Sequence, residues 1–519
     1  MNDIHAWRTR LPGRQPGDWL AGAQALVLSG QMNEARALLE AGHAAHPQAH
    51  EITLALAGQY LDAHRPTDAE TLSRRILAAQ PIHLEATFLL ARSLRAQGRL
   101  TRMAQELRAA LAHHPLEAEL AIRAIETLDD ADCKAPALAI CEQALVRVYG
   151  KEPRLHAYAA MLALQLGQFE QARAHYEAVL AQAGEPQAWE WRVADGLSQS
   201  QRYTDPTHPD LHRFKQVLQR HDLSPTARMG LLFALGKACD DLGDHAAAAA
   251  YWREANGSAH SRSHWSRKPW RRLVDARLRA IPPSARPVGT RAWSPLFVVG
   301  VPRSGTTLLT QRLAALPCVV SRGELRWLAD LAATLPPDEL PDHETLNRLA
   351  QAYERQLRQD DDRTACWYID KQPLNLLHVD LILALWPGAR IIQCSRGARD
   401  TALSLWSQYF VDPAHDYAYD FGDIAAVIQG CTRLMRHWQT RYPESVRTVS
   451  YEALVSAPET ETACITAWLG LSAGSTASAQ PPGGAISTAS LWQARQPVHP
   501  NSIDRWQRYA TFIPELLRF

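Results

Sequence analysis

The stretch that decides the fold of the second half of the chain is LFVVGVPRSGTTLLTQRLAAL, residues 296–316. A short apolar run ends at Gly300 and is followed, after Gly305, by leucines at helical spacing. The positions of Gly300, Gly305 and Thr307 match a P-loop, G-x-x-x-x-G-K-[ST], with Thr306 where the lysine usually stands. Such a loop turns backbone N–H groups and a helix N-terminus toward an anion. The alternative interpretation is a plain Gly/Ser turn between a strand and a helix.

The positive charge of this loop stands at Arg303 rather than at the lysine position. The usual lysine reaches the β- and γ-phosphates of a nucleoside triphosphate, so its replacement disfavours ATP hydrolysis. A triphosphatase or kinase would also need an acidic residue at a strand end for Mg²⁺, and the strand Ile391–Ser395 offers none. The loop therefore predicts a nucleotide whose anionic groups are arranged differently.

Two further apolar runs, at 390–394 and 446–450, are each followed by a helical pattern. Short buried strands that alternate with helices predict a parallel sheet with helices on its faces. In such a sheet, ligands bind at the carboxyl ends of the strands.

A period of 34 residues marks the first half of the chain. Pro47, Pro81 and Pro115 each close a helical pattern at this interval, and Ala35 and Ala69 repeat it. Thirty-four residues is the length of a tetratricopeptide unit, which is two antiparallel helices and a turn. We therefore expect an α plus α/β multidomain chain, in which an all-α tetratricopeptide (TPR) solenoid precedes a P-loop-like α/β domain with a parallel sheet.

The domain boundaries follow changes in composition. An Arg-, Ser- and Pro-rich stretch at 260–293 separates the two halves and predicts a connector that contains one helix. The predicted domains are a TPR helical-repeat domain over 1–257, a connector over 258–292 and the α/β domain over 293–519.

Composition argues against several classes of function. Lys and Arg number 55 and Asp and Glu 54, a net charge of +1 that disfavours bulk nucleic-acid or anionic-membrane binding. No apolar run approaches the ~20 residues of a membrane helix, and the first residues lack the apolar core of a secretory signal. Eight scattered cysteines without a CxxC pair argue against a disulfide framework or zinc site. We expect a cytoplasmic protein without a metal site.

Four polar residues stand near the predicted sheet edge. Arg396 follows the second strand and can bind a phosphate in bidentate fashion, and Ser404 can donate from the next helix. Glu324 can act as a base for an attacking hydroxyl, or merely favour the N-terminus of the next helix. Lys371 can stabilise a leaving oxygen, or merely pair with Asp370.

In order, these motifs resemble those of the sulfotransferases, especially the tyrosylprotein-sulfotransferase-like branch. The resemblance covers 296–509 and consists of VGVPRSGTT, GE, DKQP, IIQCSRGARDTALS and VSYEALV. With the repeats in front, the chain resembles the bacterial tetratricopeptide-repeat sulfotransferases. The resemblance implies an enzyme that moves a sulfuryl group from 3′-phosphoadenosine 5′-phosphosulfate (PAPS) to an acceptor hydroxyl without a metal.

The resemblance also implies roles for single residues. Glu324 would be the catalytic base, and Lys371 with Arg303 would stabilise the transferred group. The implied 5′-phosphosulfate loop is Arg303, Ser304, Gly305, Thr306 and Thr307. The implied 3′-phosphate and nucleotide contacts are Arg396, Ser404 and Tyr451, with Ser490 and Arg495 in a C-terminal nucleotide lid.

The acceptor is the least determined part of this prediction. Repeat arrays form concave surfaces that hold extended peptides, so a protein or peptide, with tyrosine as the acceptor side chain, is the preferred substrate. A carbohydrate or small hydroxyl compound stays open, and the repeats could instead bind a partner or form a homodimer. The alternative function is a TPR scaffold whose nucleotide-binding domain is vestigial.

Overall fold

The computed structural model describes residues 15–113, 117–148, 150–183, 185–279, 292–335, 342–361, 363–471 and 502–519. By packing, the chain forms two compact units. The first contains the described part of 1–149 together with 354–361, and the second contains the remaining described residues. The boundaries predicted at 257 and 292 mark changes of secondary structure, and they stay a prediction.

The first unit consists of antiparallel helix pairs, as the 34-residue period predicts. Ala35 and Ala69, which share one place in the repeat, are fully buried where neighbouring helices approach each other. The helices are α1 (Pro16–Leu28), α2 (Met32–Ala45), α3 (His50–Asp62), α4 (Pro66–Ala79), α5 (Leu84–Ala96), α6 (Leu100–His113), α7 (Ala118–Asp129) and α8 (Lys134–Arg147).

The turn inside each helix pair repeats with the same period. Gly30, His64, Gly98 and Asp132 stand 34 positions apart and have φ angles of 78°, 57°, 70° and 58°. This left-handed conformation is open to glycine and costs other residues more. The turn therefore keeps the same backbone conformation in each of these units, including the two in which His64 or Asp132 stands where the others have glycine.

Helix pairs continue into the second unit. There α16 packs on the α/β part, where the indole of Trp270 donates to the carbonyl of Ala426 at 3.1 Å. The expected connector helix is α16, whereas 280–291 lie outside the described residues. The helices are α9 (Pro153–Leu166), α10 (Phe169–Gln182), α11 (Glu185–Glu190), α12 (Val193–Gln199), α13 (Pro209–Leu218), α14 (Pro225–Asp241), α15 (His245–His260) and α16 (Arg267–Arg279).

A five-stranded parallel sheet forms the centre of the second unit, which confirms the predicted fold class. Its strands are β1 (Ser294–Gly300), β2 (Val319–Ser321), β3 (Trp367–Asp370), β4 (Arg390–Ser395) and β5 (Val446–Ser450), in the order β2-β3-β1-β4-β5. Three of them were predicted; β2 and β3, of three and four residues, are too short to show a pattern in the sequence.

The helices that accompany this sheet are α17 (Thr306–Ala314), α18 (Trp327–Thr334), α19 (His343–Arg358), α20 (Val379–Leu385), α21 (Ala398–Trp406), α22 (Phe421–Arg441), α23 (Tyr451–Ser456) and α24 (Pro458–Trp468). Short 3₁₀ helices lie at Pro373–His378, Pro413–Tyr419, Arg505–Tyr509 and Pro514–Arg518.

The central strand β1 is buried on both of its faces. Leu296 and Val298 belong to a core cluster that includes Leu309 of α17. Between them, the ring of Phe297 stacks on that of Tyr353, with centroids 6.2 Å apart. Burial on both faces explains why this strand has a continuous apolar sequence without alternation.

One disulfide corrects the expectation of reduced cysteines. Cys318 and Cys366 are bonded, with Cα atoms 5.2 Å apart, and they directly precede β2 and β3. They are 48 residues apart in sequence and become neighbours only because these two strands pair. The sequence spacing therefore gave no indication of the bond.

Candidate functional site

Every strand of the sheet ends beside one of the motif residues. Across the carboxyl edge the order is Glu324 after β2, Lys371 after β3, the loop 301–305 after β1, Arg396 after β4 and Tyr451 after β5. Because all strands are parallel, these ends meet at one edge, which is where open α/β sheets bind ligands. The sheet thus assembles motifs that are far apart in the sequence.

The loop between β1 and α17 has a backbone that its glycines make possible. Gly305 has φ +99°, and a Cβ there would lie 2.4 Å from the ring of Tyr451. At Gly300 a Cβ would lie 2.5 Å from the carbonyl oxygen of Cys394. Arg303 has φ +74°, a strained conformation for a residue with a side chain, of the kind that concentrates at functional sites.

The loop leads directly into α17, whose first residues are Thr306 and Thr307. Gly305 is the N-cap residue, so the free N–H groups of the first helical turn face the loop. The hydroxyl of Ser304 is buried and has no hydrogen-bond partner among the described residues. A buried hydroxyl without a partner beside a helix N-terminus fits an oxyanion ligand.

Two arginines converge on the same loop. The guanidinium of Arg303 donates to the hydroxyl of Ser404 at 3.1 Å, and that of Arg396 donates to the carbonyl of Arg303 at 3.3 Å. Arg396 lies over the ring of Tyr451, 4.8 Å from its centroid. The structure therefore connects four of the predicted nucleotide residues in one series of contacts, from Ser404 through Arg303 and Arg396 to Tyr451.

Within the described part of the chain, the charges of these arginines are not balanced by ion pairs. Among the described residues, no carboxylate lies within ion-pair distance of Arg303 or Arg396. Burial, with the added charges of Arg396 and Arg505, lowers the pKa of Arg303 to about 10. The Nε atom of Arg396 is buried without a partner among the described residues. Such an arrangement favours binding of a polyanion, since buried charges are normally paired.

Beside this cluster, Lys371 forms an ion pair with Glu324. The Lys371 side chain is 6% exposed and that of Glu324 is 27% exposed, so the carboxylate is the more accessible partner. The backbone N–H of Lys371 also donates to the carbonyl of Gly323 at 2.8 Å, which ties the two loops together. The partner of Lys371 is thus Glu324 and not Asp370.

Asp370 has a different place, buried beneath the pair. Its carboxylate accepts from the hydroxyl of Tyr353, from the Nδ2 of Asn375 at 2.9 Å and from the N–H of Leu325 at 3.3 Å. Burial is the main reason that its pKa is raised to about 7, and the charge of Glu324 adds to the effect. Asp370 therefore fixes the backbone directly after Glu324.

The sequence-based prediction missed several residues around this edge. The ring atom Nδ1 of His415 is buried and has no hydrogen-bond partner among the described residues. Burial lowers the pKa of this imidazole, although the nearby charges of Asp412 and Glu324 act to raise it. Arg505 also lies at this edge, in a late segment that the prediction had singled out. The residues chosen in that segment, Ser490 and Arg495, lie outside the described residues.

Two absences concern the described part of the chain. Within it, no three His, Cys, Asp or Glu residues are grouped so that they could hold a metal ion. No helix within it combines the length and the apolar character needed to cross a bilayer.

The second unit thus contains an α/β sheet with a P-loop-like loop, a cluster of arginines at its carboxyl edge and a carboxylate–ammonium pair beside them. Residues 295–474 match the sulfotransferase family model, and residues 54–118 and 159–199 match a tetratricopeptide-repeat model. The chain thus combines a region similar to tetratricopeptide repeats with a region similar to the sulfotransferase family, as the resemblance in the sequence indicated.

Individual relatives are more distant. An uncharacterized protein of Aquifex aeolicus (strain VF5) is 28% identical over 246 residues, which are 43% of this chain and 32% of that protein. The chain thus spans about a third of the length of this curated relative.

Two solved structures are similar to parts of the chain. The sulfotransferase domain of the Synechococcus PCC 7002 olefin synthase is 19% identical, with 46% of this chain and 98% of that chain covered and a TM-score of 0.30. A thermophilic TPR protein of Thermus thermophilus is 23% identical, with 35% and 99% covered and a TM-score of 0.25.

Proposed function

We propose that this protein transfers a sulfuryl group from PAPS to an acceptor hydroxyl, preferably that of a tyrosine in a protein or peptide. The observation that carries the proposal is the position of the Glu324–Lys371 pair. It lies on one side of the P-loop-like loop that carries Arg303, and Arg396 lies on the other side. A donor with phosphate groups at two positions matches two separate anion sites on one sheet edge.

The buried polar atoms at the edge fit such a donor. Ser304 Oγ and Arg396 Nε are both buried without a described partner, and both belong to the loop and arginine cluster. Arg303, Ser304, Thr306 and Thr307 would hold the 5′-phosphosulfate, while Arg396 and Ser404 would hold the 3′-phosphate. PAPS supplies an activated sulfuryl group, and no metal is needed because arginine and lysine provide the positive charge.

In this mechanism, one residue of the protein accepts the proton of the acceptor hydroxyl and another stabilises the charge on the leaving oxygen. The acceptor oxygen forms a bond to sulfur as the bond between sulfur and the 5′-phosphate oxygen breaks. Glu324 takes the proton of the acceptor hydroxyl, which is useful because a phenol has a pKa of about 10. Lys371 then neutralises charge on the departing phosphate oxygen, and 3′,5′-adenosine bisphosphate leaves.

The repeats support a macromolecular acceptor. Stacked helix pairs present extended concave surfaces of the kind that hold peptides. Binding of a partner protein or a homodimer would use the same kind of surface. The cytoplasmic location expected from the composition stays a prediction, and the Cys318–Cys366 disulfide removes its argument from reduced cysteines.

The first test is calorimetric titration with 3′,5′-adenosine bisphosphate. Wild type should bind it far more tightly than ATP, and Arg303→Ala should lose this binding. Arg433→Ala, which removes an exposed arginine of α22 that pairs with Asp275, is the matched control and should bind as wild type does. A folded wild type that does not bind the bisphosphate would contradict the proposal and favour the scaffold alternative.

The acceptor is tested separately, by incubation with PAPS and tyrosine-containing peptides. Mass spectrometry should detect the addition of one SO₃ group, which is lost when the tyrosine is replaced by phenylalanine. Sulfation of small phenols or sugars alone would retain the transfer reaction but contradict the peptide acceptor.

A further inference from the structure

The backbone is held on both sides of Glu324. On one side, the carbonyl of Gly323 accepts the N–H of Lys371 at 2.8 Å, which is a contact between main chains. On the other side, the N–H of Leu325 donates to Asp370 Oδ1 at 3.3 Å, which is a contact with a side chain. The position of Glu324 therefore depends on the Asp370 carboxylate as well as on the pairing of two strands.

Two buried side chains hold the Asp370 carboxylate in turn. Its Oδ2 atom accepts from the hydroxyl of Tyr353 and from Nδ2 of Asn375, the latter at 2.9 Å. Asp370 and Tyr353 are 0% exposed and Asn375 is 1% exposed. Water cannot replace hydrogen bonds between groups that are buried to this extent, so the two donors fix the orientation of the carboxylate. Its other oxygen is thereby presented to Leu325.

Tyr353 is fixed by aromatic packing. Between ring centroids, it lies 4.9 Å from Trp386, 5.4 Å from Trp327 and 6.2 Å from Phe297 of β1. Trp327 is the first residue of α18 and comes soon after Glu324 in the chain. The same tyrosine thus contacts the segment that carries Glu324 and donates to the carboxylate that holds this segment.

We propose that Asp370 is a positioning residue of the reaction, which directs the Glu324 carboxylate at the acceptor hydroxyl by binding the N–H of Leu325. Asp370 is fully buried, so it acts through the backbone and not on the substrate. The inference rests on the proposed sulfuryl transfer and deepens it, because it names what sets the position of the base. Such a residue matters since a misplacement of reacting groups by about 1 Å can lower a rate about 100-fold.

The test compares Asp370→Ala with Asp370→Asn in steady-state sulfation of a tyrosine-containing peptide. Asp370→Ala removes the acceptor of the Leu325 N–H and should lower kcat by about 10- to 100-fold. The KM for PAPS and the affinity for 3′,5′-adenosine bisphosphate should stay near those of wild type. Asp370→Asn retains an oxygen for this N–H, and the Tyr353 hydroxyl can turn to accept from the new amide. The asparagine variant should therefore recover most of the lost kcat.

A second measurement separates positioning of the base from a loss of stability. A base contributes most when the acceptor is weakly acidic, so Asp370→Ala should lower kcat more for phenol than for the more acidic 4-nitrophenol. Asp370→Ala added to Glu324→Gln should cause little further loss, because the two residues act as one unit. Tyr353→Phe removes one hydroxyl and should lower kcat less than Asp370→Ala does. It provides the measurement if the alanine variant does not fold.

The matched control is Asp380→Ala. Asp380 is also buried, at 4% exposed, and also accepts a backbone N–H, that of Leu381 at 2.9 Å. This contact lies within α20 and not at the segment of Glu324. Asp380→Ala should lose stability, as Asp370→Ala does, but should keep the kcat of wild type.

Two results would overturn the inference while the proposed function stands. One is a wild-type kcat in folded Asp370→Ala or, if that variant does not fold, in Tyr353→Phe. The other is a loss of kcat that is equal for the two phenols and equally large in Asp380→Ala. A folded wild type that sulfates neither the peptide nor the phenols would instead contradict the proposed tyrosine-directed reaction, and this inference with it.

Discussion

Lys371 and Glu324 form their ion pair at the ends of two adjacent parallel strands, β3 and β2. Ser321 pairs with Ile369 in that ladder, and the charged residues follow one position after the end of β3 and three positions after the end of β2. At the opposite end of the same two strands, Cys318 and Cys366 are bonded to each other. The pair is thus held by two short strands that are linked at both ends.

The first prediction concerns the base. Glu324→Gln should lower kcat by about 10²- to 10⁴-fold, because the acceptor proton then has no base to receive it. Affinity for 3′,5′-adenosine bisphosphate should stay near that of wild type, since Glu324 lies apart from the arginine cluster. Steady-state kinetics and calorimetry measure the two effects. An equal loss of kcat and of bisphosphate affinity, or an unchanged kcat, would contradict the assignment of Glu324 as the base.

The second prediction concerns the loop backbone. Gly305→Ala should abolish nucleotide binding, because the new Cβ would lie 2.4 Å from the Tyr451 ring at a φ of +99°. Gly257→Ala is the control, since a Cβ there meets nothing within 4 Å. Calorimetry with the bisphosphate gives the readout, and near-normal binding by Gly305→Ala would show that the loop adopts another conformation.

The third prediction concerns the disulfide. Replacing Cys318 and Cys366 together by serine should lower the free energy of unfolding by about 4 kcal/mol, the loop-entropy value for a separation of 48 residues. Urea unfolding of wild type with and without a reductant should show the same difference. The exposed Cys464 provides the control substitution to serine. A wild type indifferent to the reductant would mean that the two thiols are not bonded in solution.

The fourth prediction concerns pH. The pKa of Asp370 is raised from 3.8 to about 7, so the folded state keeps this proton where the unfolded chain has already released it. The stability that this group contributes is fully present below about pH 4 and is lost as the pH rises to about 7. Wild type should therefore lose unfolding free energy relative to Asp370→Asn between about pH 5 and about pH 8. An equal difference between the two proteins at both pH values would contradict the raised pKa.

Much of the fold could be predicted from the sequence because its signals are local. The 34-residue period reflects one helix pair and its turn, and the apolar run 296–299 reflects a strand buried on both faces. Strands β2 and β3 escaped prediction because three or four residues carry too little pattern. The disulfide escaped because it depends on the pairing of those same strands.

The residues of the candidate site also fall into those that the sequence could predict and those that it could not. Arg303, Glu324, Lys371 and Arg396 stand in motifs that can be recognised in the sequence. Tyr353 cannot be recognised, because it lies in helix α19 outside every motif and donates to Asp370 only in the folded chain.

The sequence by itself determined the repeat architecture, the P-loop-like turn and the charged residues at the strand ends, since each depends on neighbours a few positions away. Only the tertiary structure decided that Lys371 pairs with Glu324 and not with Asp370, and that Asp240 pairs with Arg505 of the C-terminal segment. The physical reason is that strand order and helix docking determine which distant charges become neighbours. These depend on the packing of the whole core and not on any local pattern.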